Sequence, residues 1–271
     1  MSTRNAMGGL RQHFEGPATV FDAFDSQLVV DRPMSRRAGI AAAWITIALF
    51  ACAAASAVRY GLADVFSIKG NEKLTAWQTS GTPLTLETAL SVQTMIDESI
   101  KFDEGRGDNF ETLGTLHFAY AEQRGLTYDQ RVAQYRAAAV RFRDALDRMR
   151  TSPYAWASVL LAKSKAGDID EEFNAALVNS AYYGPYDPAV QGLIVEAALP
   201  HWNILTPAQR EVLSSNILRA WPTNRDGVRR EAMQVRGERT WCKAKEAGLK
   251  QLCEGLPEEK RARNTTSSPS R

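Results

Sequence analysis

Two of the three cysteines in this sequence, Cys242 and Cys253, stand eleven residues apart in WCKAKEAGLKQLC. Paired thiols point to a disulfide. In one unbroken helix, residues at that spacing share a face but lie about 16 Å apart along the axis, whereas a bridge needs Cα atoms within about 7 Å. The pair therefore requires a turn, and Gly248 offers a place for the chain to reverse. Cys52, the third, falls within an apolar run.

The other reactive side chains are dispersed. His13, His117 and His201 are far apart in the sequence, no Cys/His cluster has the ligand count of a structural zinc site, and neither a glycine-rich phosphate loop nor a Gly-x-Ser-x-Gly elbow occurs. Carboxylates suited to glycoside hydrolysis exist in number at Asp103-Glu104, Asp168-Asp170-Glu171-Glu172 and Glu258-Glu259. Asp168 and Glu171, however, have the spacing of a helix cap and its reciprocal partner, and nothing in the sequence sets any pair across a cleft. No catalytic, cofactor-binding or metal-ligating residue is expected.

Two surfaces are candidates for recognition. Arg136, Arg143 and Arg150 recur every seven residues and share one helical face, with Arg141 and Arg148 in a neighbouring row. Such a stripe can meet an acidic polysaccharide or lipid headgroups. It can equally be a solvated face, since Arg143 with Asp147 and Asp144 with Arg148 have the i, i+4 spacing of weak surface ion pairs. Tyr182, Tyr183, Tyr186 and Trp202 surround Gly184-Pro185, and such rings either stack on sugars or pack between helices. His201 beside Trp202 reads either as an exposed pair or as a helix end packed into its neighbour.

The elements that must position these residues begin with a span. Ala38 to Val58, AGIAAAWITIALFACAAASAV, contains no charge, and as a helix it rises about 31 Å, the thickness of a bilayer core. Arg32, Arg36 and Arg37 before it outnumber Arg59 immediately after it, which favours a cytoplasmic N-terminus and an exported C-terminal domain. A cleaved signal is the competing reading: Ala55-Ser56-Ala57 looks like a small-residue cleavage site. With a start at Met34, Leu49-Phe50-Ala51-Cys52 resembles a lipoprotein box with a poor Phe. Each of these readings exports the residues beyond about 60.

Helix starts follow with clear capping chemistry. Ser152-Pro153, Asp187-Pro188 and Thr206-Pro207 each set a side-chain oxygen before a proline at the first helical position. Thr127 with Gln130 and Thr206 with Gln209 have capping-box spacing, as do Asp168 and Glu171. Val190, Leu193, Ile194, Ala197 and Ala198 form one buried helical stripe, and Ile169, Phe173, Ala176, Leu177 and Ser180 a second. No segment alternates with period two. Helices are expected at 84–104, 109–124, 127–150, 153–166, 168–183, 187–202 and 206–220, with one or two more before 255. The expected organisation is a cytoplasmic tail (1–35), a transmembrane helix (36–60), a connecting segment (61–82), an all-α antiparallel helical array (83–255) and a disordered tail (256–271). Phe21, Phe24 and Leu28 in the first tail are available to dock on a partner.

SPYAWASVLLAKSKAGDIDEEFNAALVNSAYYGPYDP places Trp156 early in one helix, Gly167 at a turn, Phe173 and Leu177 in the next helix and Pro185 after it. That outline resembles a tetratricopeptide unit of about 34 residues, although Leu160 and Lys163 replace the Gly-Tyr pair of its first helix. The run YAW, then GPYDPAVQ, then Trp202 to Arg210 as W-x-x-L-T-P-x-x-R, resembles the VpsP-type family of bacterial exopolysaccharide biosynthesis clusters across about residues 36–255. The resemblance implies a single-span inner-membrane protein with a periplasmic helical domain beside the proteins of polysaccharide synthesis or export. It supplies no reaction. The expected function is a non-enzymatic scaffold that binds partner proteins, with weak polysaccharide contact at most. The alternatives are a polysaccharide-modifying enzyme and a general periplasmic adaptor for folding or secretion. A net charge of +2 gives no reason to expect nucleic acid as a partner. If the domain is exported, a Cys242–Cys253 bridge is chemically permitted.

Overall fold

The computed structural model describes residues 36–235, 240–243 and 245–254. The expectations for the tails 1–35 and 256–271 lie outside the described residues. The described chain is all-helical, and the whole divides into two compact units, Met1–Ala55 and Ser56–Arg271.

The described part of the first unit belongs to helix α1 (Arg36–Ser80). All residues from Ala38 to Ala55 are exposed, among them Trp44, Ile45, Leu49 and Phe50, each more than half accessible. Exposed apolar side chains on every face of a helix are unfavourable in water and suited to lipid. Thr46 returns its hydroxyl to the Ala42 carbonyl at 3.0 Å, which meets that donor within the helix. This is the one helix among the described residues long and apolar enough to cross a membrane.

In the second unit, residues 61–80, expected as part of a connection, are helix, and they carry a buried stripe: Ala63, Ser67, Gly70 and Leu74. The stripe packs on α2 (Leu86–Phe102). A Cβ on Gly70 would lie 2.6 Å from Ile96 Cδ1, so a larger residue here would force the Ile96 side chain to move. Ser99 adds a hydrogen bond to the Ala63 carbonyl at 2.7 Å. The helix stops at Gly81, whose φ of 67° is in the left-handed region.

The array continues through α3 (Gly107–Ala121), α4 (Tyr128–Leu146), α5 (Pro153–Ala166), α6 (Glu171–Tyr183), α7 (Pro188–Ala198), α8 (Pro207–Gln234) and α9 (Ala247–Glu254). Short 3-10 turns, Leu199–His201 and Thr240–Lys243, extend α7 and precede α9. Thr127 and Thr206 form complete capping boxes with Gln130 and Gln209, and Ser152 and Asp187 cap the helices that begin at Pro153 and Pro188. The cap of α6 differs from expectation. Asp170, not Asp168, accepts the Phe173 amide at 3.0 Å, because Asp168 is engaged elsewhere. α8 is two helical stretches joined across a kink at the non-helical Asn224, just past Pro222, so the first ends close to the expected 220 and the second is one of the further helices expected before 255. The interruption is held by Asn224 Nδ2, which donates to the Pro188 carbonyl at 2.8 Å.

Helix α5 is central: it packs on α4, α6 and α7, and α7 packs on α8. Leu160, Phe173, Leu177, Ile194, Leu213 and Ile217 are completely buried among these helices, each stabilising the fold by about 1.5–3 kcal/mol relative to exposure.

Candidate partner-binding groove

Two arginines of the stripe, Arg136 and Arg143, are paired within the fold. Arg136 donates through Nε and a terminal nitrogen to both Asp168 oxygens at 2.8 and 2.7 Å, and Arg143 makes the same two-pronged contact with Glu172. Lys163 on α5, only 8% exposed, bonds Asp170 at 2.8 Å and Glu172 at 2.9 Å. The Arg136 and Arg143 guanidinium groups hold the Asp168 and Glu172 carboxyls below the usual range. Burial opposes the charge on Lys163, yet its two carboxylate bonds outweigh it and raise its pKa. Arg136 and Arg143 stay 60% and 48% exposed, so this face is solvated, with its charges paired to the start of α6 and the turn before it. The i, i+4 pairs expected from Arg143 to Asp147 and Asp144 to Arg148 are not formed. Asp144 accepts from Arg141 at 3.4 Å, while Arg148 lies over the Phe110 ring, 3.9 Å from its centroid. Arg150 is exposed and makes no ion pair among the described residues; its carbonyl accepts Trp156 Nε1 at 2.9 Å.

The aromatic group divides. Trp202 is buried at 5% exposure, with the Arg210 guanidinium 4.9 Å from its ring centroid, so it is a core anchor and not part of an open platform. His201 also packs inward: Phe173 meets its ring edge-on, and its Nε2 lies 2.9 Å from Ser164 Oγ. Because Ser164 gives its only hydroxyl proton to the Ala197 carbonyl, Nε2 must be the protonated nitrogen of the neutral ring. Burial pushes this histidine's pKa down. Tyr182 and Tyr186 remain exposed, and Tyr183 is partly so.

The clearest recognition surface is a groove of about 260 Å³ between α3, α5 and α7. Its lining combines Phe118, Phe142, Leu161 and Leu193 with Tyr154 and Glu196. Along α5, Tyr154, Ser158, Leu161 and Lys165 follow a 4-3-4 spacing and share one face. Glu111 stands beside Tyr154, accepting the Ser152 hydroxyl at 2.9 Å, and Lys165 pairs with Glu196 at 2.8 Å. Burial raises the Glu111 carboxyl pKa, with the Asp108 charge adding to it; burial followed by the Glu196 charge does the same for Glu231. An apolar floor with hydroxyls and carboxylates at its edge suits a bound protein segment, which can lay apolar side chains on the floor and donate at the rim. None of these residues stood out in the sequence as a recognition residue; Leu193 read as part of a buried stripe. The available signal was α5 itself, apolar on nearly all sides and therefore central, with a half-buried face beside its core face.

The cysteines are brought together. Cys242 and Cys253 have Cα atoms 5.6 Å apart and sulfurs at 2.08 Å. Gly248 does not supply the reversal, since α9 already begins at Ala247. Gly248 lies inside α9, where a Cβ would meet the Ser214 carbonyl oxygen at 2.1 Å. Among the described residues no group of His, Cys, Asp and Glu is arranged to hold a metal ion. Comparison with known proteins returns no matching family model, curated protein or solved structure.

Proposed function

We propose that the chain is a membrane-anchored, non-enzymatic scaffold. Its helical array lies outside the cytoplasm of a bacterium and holds partner proteins of exopolysaccharide synthesis or export. The observation that carries the binding role is the open groove across α3, α5 and α7. The exposed apolar helix supports anchoring, and a cysteine pair at bonding distance fits an oxidising compartment. The tetratricopeptide-like outline around Trp156 and the VpsP-type resemblance support the polysaccharide setting.

The test is site-specific photocrosslinking from Ser158 and Leu193 in intact cells, with mass-spectrometric identification of what is trapped. The expected products are proteins of a polysaccharide assembly, lost when Leu161→Arg fills the floor. Crosslinks to unrelated secretion or folding factors would replace this reading with that of a general adaptor.

A polysaccharide-modifying enzyme draws on one observation, that burial raises the Glu111 and Glu231 carboxyls above their ordinary range, the direction in which a general acid is tuned. It predicts that the purified chain shortens or alters the polymer and that Glu111→Gln or Glu231→Gln abolishes this. The scaffold reading predicts no change in the polymer.

A further inference from the structure

A second groove, of about 380 Å³, runs between α6 and α8 and shares no lining residue with the first. Glu211, Ser215 and Arg219 project into it from α8 at i, i+4, i+8, one face of that helix. Val178, Tyr182 and Pro185 form the opposite side.

Two features of this groove are unmet. Arg219 Nε is shielded from solvent and has no hydrogen-bond acceptor, and Arg219 makes no ion pair among the described residues. A guanidinium on a groove wall with no ion pair is best met by a carboxylate, whose two oxygens match the fork of its terminal nitrogens, since the shielded Nε is closed to a ligand as it is to water. The nearby acid does not serve: Glu211 takes the Ser215 hydroxyl at 3.1 Å instead. Tyr182 is 74% exposed, although its neighbour Tyr183 fixes it by an edge-on contact at 5.1 Å between centroids. A ring held in place with an open face is a ready platform for apolar C–H groups.

From these residues we infer that the α6–α8 groove binds an acidic saccharide, a chain containing uronate pyranose rings. The uronate carboxylate pairs with Arg219, the C–H face of the ring lies on Tyr182, and the sugar hydroxyls donate to the remaining acceptor capacity of Glu211. A peptide carboxylate meets the first of these but brings neither the flat C–H face nor the row of hydroxyl donors.

The full chain in detergent micelles is titrated calorimetrically with tetragalacturonate, maltotetraose and tetraglutamate. Tetragalacturonate is expected to bind at least about tenfold more tightly than either of the others, and Arg219→Gln and Tyr182→Ala are each expected to weaken it by about tenfold or more. Arg219→Lys retains charge but loses the fork and falls between. Tyr128→Ala, at an equally exposed ring on α4, leaves binding unchanged, and melting temperatures equal to the parent's show that the variants are folded. Equal binding of maltotetraose, equal binding of tetraglutamate, or no loss with Arg219→Gln overturns the proposal. Such a failure leaves the α3–α5–α7 groove and its crosslinking test untouched.

Discussion

At the scale of single residues, Lys163 and His201 show how buried polar groups are used. Lys163 is held between Asp170 and Glu172, which are 54% and 30% exposed. Removing it strips Asp170 of its only cation among the described residues, while Glu172 keeps Arg143. Lys163→Met, which preserves the stem, is therefore expected to destabilise by roughly 2–3 kcal/mol, less than for a fully buried pair; the midpoint of urea unfolding measures it, and a loss below about 0.5 kcal/mol would show the network to be dispensable. His201 has a folded pKa below its ordinary value because burial disfavours the imidazolium. The unfolded chain then binds the proton more readily, so stability is complete above the ordinary histidine range and falls as pH drops through it toward the folded value. His201→Gln should flatten the decline in melting temperature between about pH 7.5 and about pH 5.5.

At the scale of elements, the end of the array depends on a close approach. α9 lies against α8 through Gly248, whose amide donates to Ser214 Oγ at 3.0 Å. Leu249 and Leu252 bury completely beside it, and Trp241 nearly so. Gly248→Ala places a methyl group into the Ser214 carbonyl, a clash with backbone that no side-chain rotation relieves, and should cost roughly 1–3 kcal/mol. The Cys242–Cys253 link closes only a short loop, so its removal in a Cys242→Ser/Cys253→Ser variant should cost up to about 3 kcal/mol. Both changes act on one junction. Limited proteolysis should therefore release α9 first in each variant, with the core from α3 to α8 resistant. Early cleavage within α5 instead would place the weak point elsewhere.

For the molecule as a whole, the exposed apolar segment of α1 predicts behaviour in membranes. The full chain should sediment with membranes, resist extraction by carbonate and dissolve in detergent, whereas a variant carrying Leu49→Glu and Phe50→Lys should shift to the soluble fraction. Much of the architecture was readable because its causes are local. A cap needs only an oxygen three residues from an amide, so Thr127, Ser152, Asp187 and Thr206 announced their helices. A helix able to cross a membrane needs only uncharged length, and Ala38 to Val58 supplied it. The remainder depended on through-space competition. Asp168 and Asp170 are equally plausible caps until Arg136 claims one of them. Arg143 could reach Asp147 one turn away, but Glu172 on a neighbouring helix offers a two-pronged contact. Residues 61–80 looked like a link because their buried stripe includes Ser67 and Gly70, whose value emerges only against Ser99 and Ile96 of α2. The grooves belong to this second class, since each is assembled from faces of helices far apart in the chain. Local patterns were enough to specify the helices, the span and the need for a turn between the cysteines; which side chains meet, and which surfaces stay open, was settled only when the helices packed, because ion pairs, close glycine contacts and concave faces depend on distances that sequence spacing does not contain.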